Sequence, residues 1–230
     1  MDLAKPCIDF GLSTNDIEPM LAFWQGEAGL GFDHLLKVRR GLDQHRHDAM
    51  GSVIKINHAA EPLADGPPGG YRELYLARDG LAVPRALTDP DGNKVTLAPD
   101  GWRGVEQIAV RLAVRSLEAH RRFYAEAFGL PEAPWPGGAA FRAGRSLIVV
   151  EESADAPEPG ARRGGRGWGY ITFQVFKTDA AHAHVLAHGG REDLAPVTLG
   201  TTARISMVLD PDGNRIELSQ RASIVGSLAP

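Results

Sequence analysis

Two short stretches near the start of this 230-residue chain, Gln44-His45-Arg46-His47 and Lys55-Ile56-Asn57-His58, gather side chains that can move protons and hold oxygen atoms. Both read as strands, joined through Asp48-Ala49-Met50-Gly51. Side chains alternate along a strand, so His45 and His47 share one face, and Lys55 and Asn57 share one face of the neighbour. If 47 pairs with 53 and 45 with 55, the imidazoles, the ammonium and the amide converge on one surface. A slip of one residue separates them, and the sequence leaves the register open. Converged, and with His58 at the strand end, the group supplies an acid or base near neutral pH and donors for an enolate or carboxylate oxygen. The competing reading is a polar sheet face turned to solvent.

The other histidines suggest less chemistry. His182, His184 and His188 fall in an alanine-rich helical pattern. His184 and His188 have the i,i+4 spacing of two metal ligands, but no third ligand is indicated, so the expectation is a solvated helix face, as it is for His120. Trp24, Trp102, Tyr124, Trp135 and Trp168 are expected mainly in the core or at its rim. The alternative for Trp168, with Tyr170, is stacking on a flat ligand, since the two flank the start of a strand. Arg162, Arg163 and Arg166 lie in a Gly/Pro-rich connector, with a flap over an anionic ligand as the functional alternative.

The elements that position these residues emerge when the chain is compared with itself. Asp89-Pro90-Asp91-Gly92-Asn93 recurs as Asp210-Pro211-Asp212-Gly213-Asn214, each a tight turn feeding an alternating strand. The capped helix start around Asp16 and Glu18 recurs at Ser116 and Glu118, an offset of 100, and Gly70-Tyr71 recurs as Gly169-Tyr170 at 99. The two turns lie 121 apart, so about 22 residues are missing from the first copy between Tyr71 and Asp89. In the second copy that window holds a helix over 179–190 and a strand near 196–199. The reading is α+β, with an abbreviated domain over 5–99 and a complete one over 104–221, each built from strand-helix-strand-strand-strand (βαβββ) modules; domain 1 lacks the helix of its second module.

This repeat, with Phe-Trp or Phe-Tyr late in the first helix and Asp-Pro-Asp-Gly-Asn before the last strand, resembles the vicinal oxygen chelate superfamily. That group contains glyoxalases, bleomycin-resistance proteins and extradiol dioxygenases. The resemblance implies paired modules curled around a cleft in which many members chelate a divalent metal. The family's His-His-Glu ligand positions fall here on Asp9 or Gln107, on Tyr71 or Tyr170, and on Thr96 or Glu217. None is histidine. If strands are exchanged between the copies, Asp9, Tyr170 and Glu217 form an oxygen-rich set suited to magnesium or manganese more than to iron, and absence of any metal is the alternative. Lys55 falls near a position where glyoxalase-type members carry a metal-binding Glu, and its charge argues against a metal there. Gln107, Trp168 and Tyr71 are the expected substrate contacts. The function implied is lyase, isomerase or ring-opening chemistry on an oxygen-rich small molecule; the alternative is a metal-free binding or sequestering protein of the bleomycin-resistance type.

Composition agrees without adding detail. Lys and Arg number 25 against 29 Asp and Glu, a net charge of −4 that gives no basic field for nucleic acid. No long apolar run suggests a signal peptide or membrane span, and the single Cys7 cannot form an internal bridge, so a cytoplasmic monomer or homodimer is expected.

Overall fold

A computed structural model of the chain describes residues 1–66, 68–158 and 164–229. Strand β1 (Leu3–Thr14) leads into helix α1 (Ile17–Ala22), which widens into a π-type turn over Phe23–Glu27. Strands β2 (Gly31–Arg39), β3 (Leu42–Ala49) and β4 (Ser52–Ala59) complete the first module. The second holds β5 (Tyr71–Arg78), β6 (Arg85–Thr88) and β7 (Lys94–Pro99), with no helix after β5. The third holds β8 (Ile108–Val114), α2 (Leu117–Glu126), β9 (Glu132–Trp135), β10 (Gly138–Ala143) and β11 (Ser146–Glu152). The fourth holds β12 (Gly167–Val175), α3 (Thr178–Ala187), β13 (Arg191–Leu199), β14 (Ala203–Leu209) and β15 (Arg215–Arg221), followed by the short α4 (Ala222–Val225). The fold is thus α+β, with α3 and β13 having no counterpart in the second module. No helix among the described residues is long and apolar enough to cross a membrane.

The two modules of one half do not pair with each other. One sheet has eight strands in the order β13-β14-β15-β12-β1-β4-β3-β2, and the other has seven in the order β6-β7-β5-β8-β11-β10-β9. The first module therefore joins the fourth through the antiparallel β1–β12 pair, and the second joins the third through β5–β8.

The repeated turns fasten this exchange. In each, the first Asp accepts backbone N–H groups two and four residues on, at 3.1 and 2.8 Å for Asp89 and 3.0 and 2.8 Å for Asp210. The Asn amide oxygen then reaches the opposite half. Asn93 accepts the Trp168 N–H at 3.2 Å, and Asn214 accepts the Gly70 N–H at 2.5 Å. A side chain at Gly70 would stand 2.5 Å from the Ala113 carbonyl, so the strand starts there only with glycine.

Alternation gives each strand a core face and a cleft face. On β1, Ile8, Phe10 and Leu12 are fully buried against Met20, Phe23 and Trp24, while Asp9, Gly11 and Ser13 point the other way. Phe10 stacks on Trp168 at 4.2 Å and meets Tyr71 edge-on at 5.3 Å; Phe128 stacks on Phe173 at 4.6 Å. Full burial of one such ring stabilises by about 1.5–3 kcal/mol, and the cluster joins both sheets and the helices into one core.

Two helix residues depart from the sequence reading. His120 is not at the surface: it is fully buried, with Nδ1 at 2.9 Å from the Ser116 carbonyl and Nε2 at 3.2 Å from Asp210. His182 is also buried, its Nε2 2.9 Å from Glu192. His184 and His188 are exposed with rings 4.1 Å apart. Arg166 is held by Asp65 and Asp91, whereas Arg162 and Arg163 lie outside the described residues.

Candidate functional site: the cleft of the eight-stranded sheet

The β3–β4 turn decides which side chains meet. Met50 and Gly51 both have positive φ, 57° and 97°, giving a two-residue hairpin turn in which Ala49 pairs with Ser52. Arg46 then stands opposite Lys55 and Gln44 opposite Asn57, while His47 faces Ile54 and His45 faces Ile56. The converged group expected from the sequence is therefore split by one residue of register. Lys55 and Asn57 enter the cleft with Arg46 and Gln44; His45 and His47 point to the other face. His47 is fully buried, its ring 5.7 Å from Phe32 and its Nε2 3.3 Å from Gln25. Burial, with help from His45, pushes its imidazole down to about 4, so it stays neutral at physiological pH. His58 pairs across from Asp43 on that same far face, outside the cleft.

The cleft is a cavity of about 260 Å³. Its floor is built by β15, β12, β1, β4 and β3, so residues from both ends of the chain meet there. Lys55 Nζ donates to Thr172 Oγ1 at 2.6 Å, lies 3.2 Å from Glu217 Oε1 and sits 5.3 Å from the centre of the Tyr170 ring. Lys55 and Glu217 are both nearly inaccessible to solvent. Burial draws the Lys55 ammonium below the ordinary lysine range, against the opposing pull of Glu217 and Asp9. Tyr170 projects into the cleft because Gly11 lies directly beneath it; a Cβ there would be 2.4 Å from the ring. Its hydroxyl is within 3.4 Å of the Gln44 amide and 3.3 Å of the Asn57 amide. Burial, then the Glu217 charge, raises the phenol well above its usual range, so it remains protonated.

The residues do not fit a divalent metal. Asp9, Tyr170 and Glu217 are indeed assembled by strand exchange, but a metal needs their oxygens to converge on one point. Asp9 instead accepts Lys5 Nζ at 2.7 Å, Val53 N–H at 2.9 Å and Gln174 Nε2 at 3.1 Å. Burial opposes its charge, but Lys55 and Lys5 hold its carboxyl below the usual range. Tyr170 is a neutral phenol, and Glu217 faces the Lys55 ammonium. Among the described residues there is no cluster of three or more His, Cys, Asp or Glu placed to hold a metal.

The three expected substrate contacts lie elsewhere. A bulge at Gly169 puts Gly11 opposite Tyr170 but Leu12 opposite Trp168, so Trp168 turns into the core while Tyr170 faces the cleft. Tyr71 does the same across a bulge before Glu73, and its hydroxyl donates to the Arg215 carbonyl at 2.7 Å. Gln107 is buried beside the β3–β4 turn, donating to the Met50 carbonyl at 2.5 Å and accepting from Ser146 at 2.9 Å. Sequence reasoning missed Gln44, Arg46, Thr172 and Arg221, which follow from the register. Gly51 was the available clue to a two-residue turn.

The pseudo-equivalent face of the seven-stranded sheet is packed shut. Arg111 bridges Glu73 at 3.1 Å and Glu151 at 3.0 Å, Thr96 and Tyr75 donate to Glu73, and Trp135 donates to Glu151. Tyr75, Trp102 and Trp135 fill the space above with ring centres 5.6–6.1 Å apart.

This architecture, with two mixed sheets each assembled from modules of both halves around a polar cleft, defines a class of paired-module proteins. Residues 105–218 match the sequence profile of the Glyoxalase/Bleomycin resistance protein/Dioxygenase superfamily, and the chain belongs to that superfamily. In fold it is similar to glyoxalase I from Zea mays, with a TM-score of 0.74 over 96% of this chain and 95% of that chain at 15% identity. It is also similar to a candidate dioxygenase from Bacillus subtilis subsp. subtilis str. 168, with a TM-score of 0.68 over 96% and 90% of the two chains at 11% identity. No curated protein sequence matches the chain.

Proposed function

We propose that the cleft of the eight-stranded sheet binds a small oxygen-bearing organic molecule and acts on it by metal-free acid–base chemistry of the isomerase or lyase type. The observation that carries this reading is the Lys55 ammonium on the cleft floor, 3.2 Å from Glu217. Lysine has three N–H donors, and Thr172 and Glu217 engage two, which leaves one for a carbonyl oxygen of the substrate. A fixed cation in a desolvated cleft stabilises the oxyanion that forms when a neighbouring carbon loses a proton. Glu217, beside it, receives that proton and returns it at a different atom. Ring opening with dioxygen fits poorly, because the floor lacks the imidazole donors that hold redox iron.

The second reading is a binding or sequestering protein of the bleomycin-resistance type. It draws on the fact that Lys55, Glu217 and Tyr170 all have partners within the protein, which suits holding a ligand as well as transforming one. Deuterium incorporation into 4-phenyl-2-oxobutanoate in D2O, followed by NMR after dialysis against EDTA, separates the two. Proton-transfer chemistry requires accelerated exchange at the carbon next to the ketone, lost in Glu217→Gln while binding persists. Binding with no exchange leaves the sequestering reading, and no binding removes both.

A further inference from the structure

We propose that Arg46 and Arg221 form an anion subsite in this cleft, and that its ligand is a carboxylate carried on an apolar body. The proposal rests on the cleft being the ligand site and specifies what enters it. Arg46 is 4% exposed, yet among the described residues its side chain makes a single hydrogen bond, from Nη1 to Gln44 Oε1 at 2.7 Å. Its Nε is buried with no acceptor among the described residues. A guanidinium stays charged in proteins, and a buried charged donor without an acceptor is costly. Arg221, half-buried and lining the same cavity, also has no carboxylate partner within 4.0 Å among the described residues, and the two guanidinium charges repel.

Asp9, Glu217 and Asp33 attract the Arg221 charge, but among the described residues none of them is within ion-pair distance of Arg221 or Arg46, and each is engaged by another group, Asp33 by His34. Glu217 pairs with Lys55, Asp9 with Lys5, and Asp193 with the remaining cleft arginine, Arg215, at 2.7 Å. The cavity is therefore a pocket of excess positive charge in a chain whose net charge is −4. The ligand's shape follows from the walls. Leu36, Val38 and Leu42 form one side and Leu199, Ile205 and Met207 the other, around a space of about 260 Å³, at the small end of ligand sites. The open edge of a guanidinium takes two oxygens of a carboxylate or of a phosphate alike, so the backbone around the cavity decides between them in favour of a carboxylate. A phosphate wants a nest of free backbone N–H groups, and the strands of this floor spend theirs in the sheet ladder.

Calorimetric titration with 4-phenylbutyrate, 4-phenylbutanamide and inorganic phosphate tests the assignment. The acid is expected to bind at least about tenfold more tightly than the amide. Arg46→Met and Arg221→Gln should each remove about tenfold or more of that preference while leaving amide affinity unchanged, and Arg46→Lys should fall between. If Arg46→Met does not fold, Arg221→Gln at its more accessible position carries the same reading. An amide bound as tightly as the acid, acid affinity unchanged in both variants, or phosphate bound more tightly than the acid would each overturn the proposal. If neither acid nor amide binds, the reading of the cleft as the ligand site fails as well.

Discussion

Replacing Lys55 by methionine keeps an unbranched apolar stem and removes only the charge. Its partner Glu217 has a side chain just 12% exposed and cannot recover full hydration, so the variant holds a carboxylate with no counter-charge, and Thr172 loses a donor at 2.6 Å. Breaking a buried pair from one side costs about 3–5 kcal/mol. At about 2–4 °C per kcal/mol for a chain of this length, Tm should fall by roughly 6–20 °C. Removing both charges, Lys55→Met with Glu217→Leu, should recover most or all of that loss, because an apolar pair of similar volume is often neutral or better. Urea unfolding followed by circular dichroism gives all four corners of the cycle. A single-variant cost below about 1 kcal/mol, the value of a solvent-screened pair, or a double variant equal to the sum of the singles, would refute the idea that a desolvated ammonium occupies the cleft floor.

The remaining expectations follow from neighbouring features. His45→Ala with His47→Ala should leave 4-phenylbutyrate affinity in the cleft unchanged by calorimetry, because both imidazoles lie on the far face of β3. Gly11→Ala should destabilise by about 1–3 kcal/mol in urea unfolding, since its Cβ would stand 2.4 Å from the Tyr170 ring, and Gly11→Ala with Tyr170→Leu should recover much of it. His120 adds a pH dependence. Burial disfavours its charge, but Asp210, the Ser116 carbonyl and Asp212 outweigh that and raise its pKa above the ordinary 6.5. Its stabilisation is thus complete below about pH 6.5 and fades as pH rises through the folded-state value. The stability difference between wild type and His120→Gln should shrink from pH 6 to pH 9, and a flat difference would show that the imidazole is neutral in the fold.

The fold was legible because its signals are repeated and local. The two Asp-Pro-Asp-Gly-Asn turns, the capped helix starts and the offset of the missing segment all lie within short windows, and each copy checks the other. β9 is the least visible strand of its module because Glu132-Ala133-Pro134-Trp135 is short and carries a proline, as an edge strand with one partner permits. The site was harder because it depends on parity. One extra residue in the β3–β4 turn, or one bulge at Gly169, sends a whole set of side chains to the other face. Thus Lys55, Asn57, Tyr170 and Glu217 line the cleft, whereas Trp168 and Tyr71 turn into the core and the histidines, whose register the sequence leaves open, lie on the other face of their strands. His120 looked like a surface residue because its acidic partner, Asp210, lies 90 positions away.

The exchange of strands between the halves makes the cleft a shared property of two segments that lie far apart in the chain. Lys55 and Arg46 come from the first segment, and Glu217, Thr172 and Arg221 from the last. Cutting the chain near Asp100 would yield two fragments, each with half of every sheet and neither with a cavity of its own. Ligand binding would return only on reassembly, so the protein is suited to split-fragment complementation, with restored affinity for the small molecule reporting that the fragments have met.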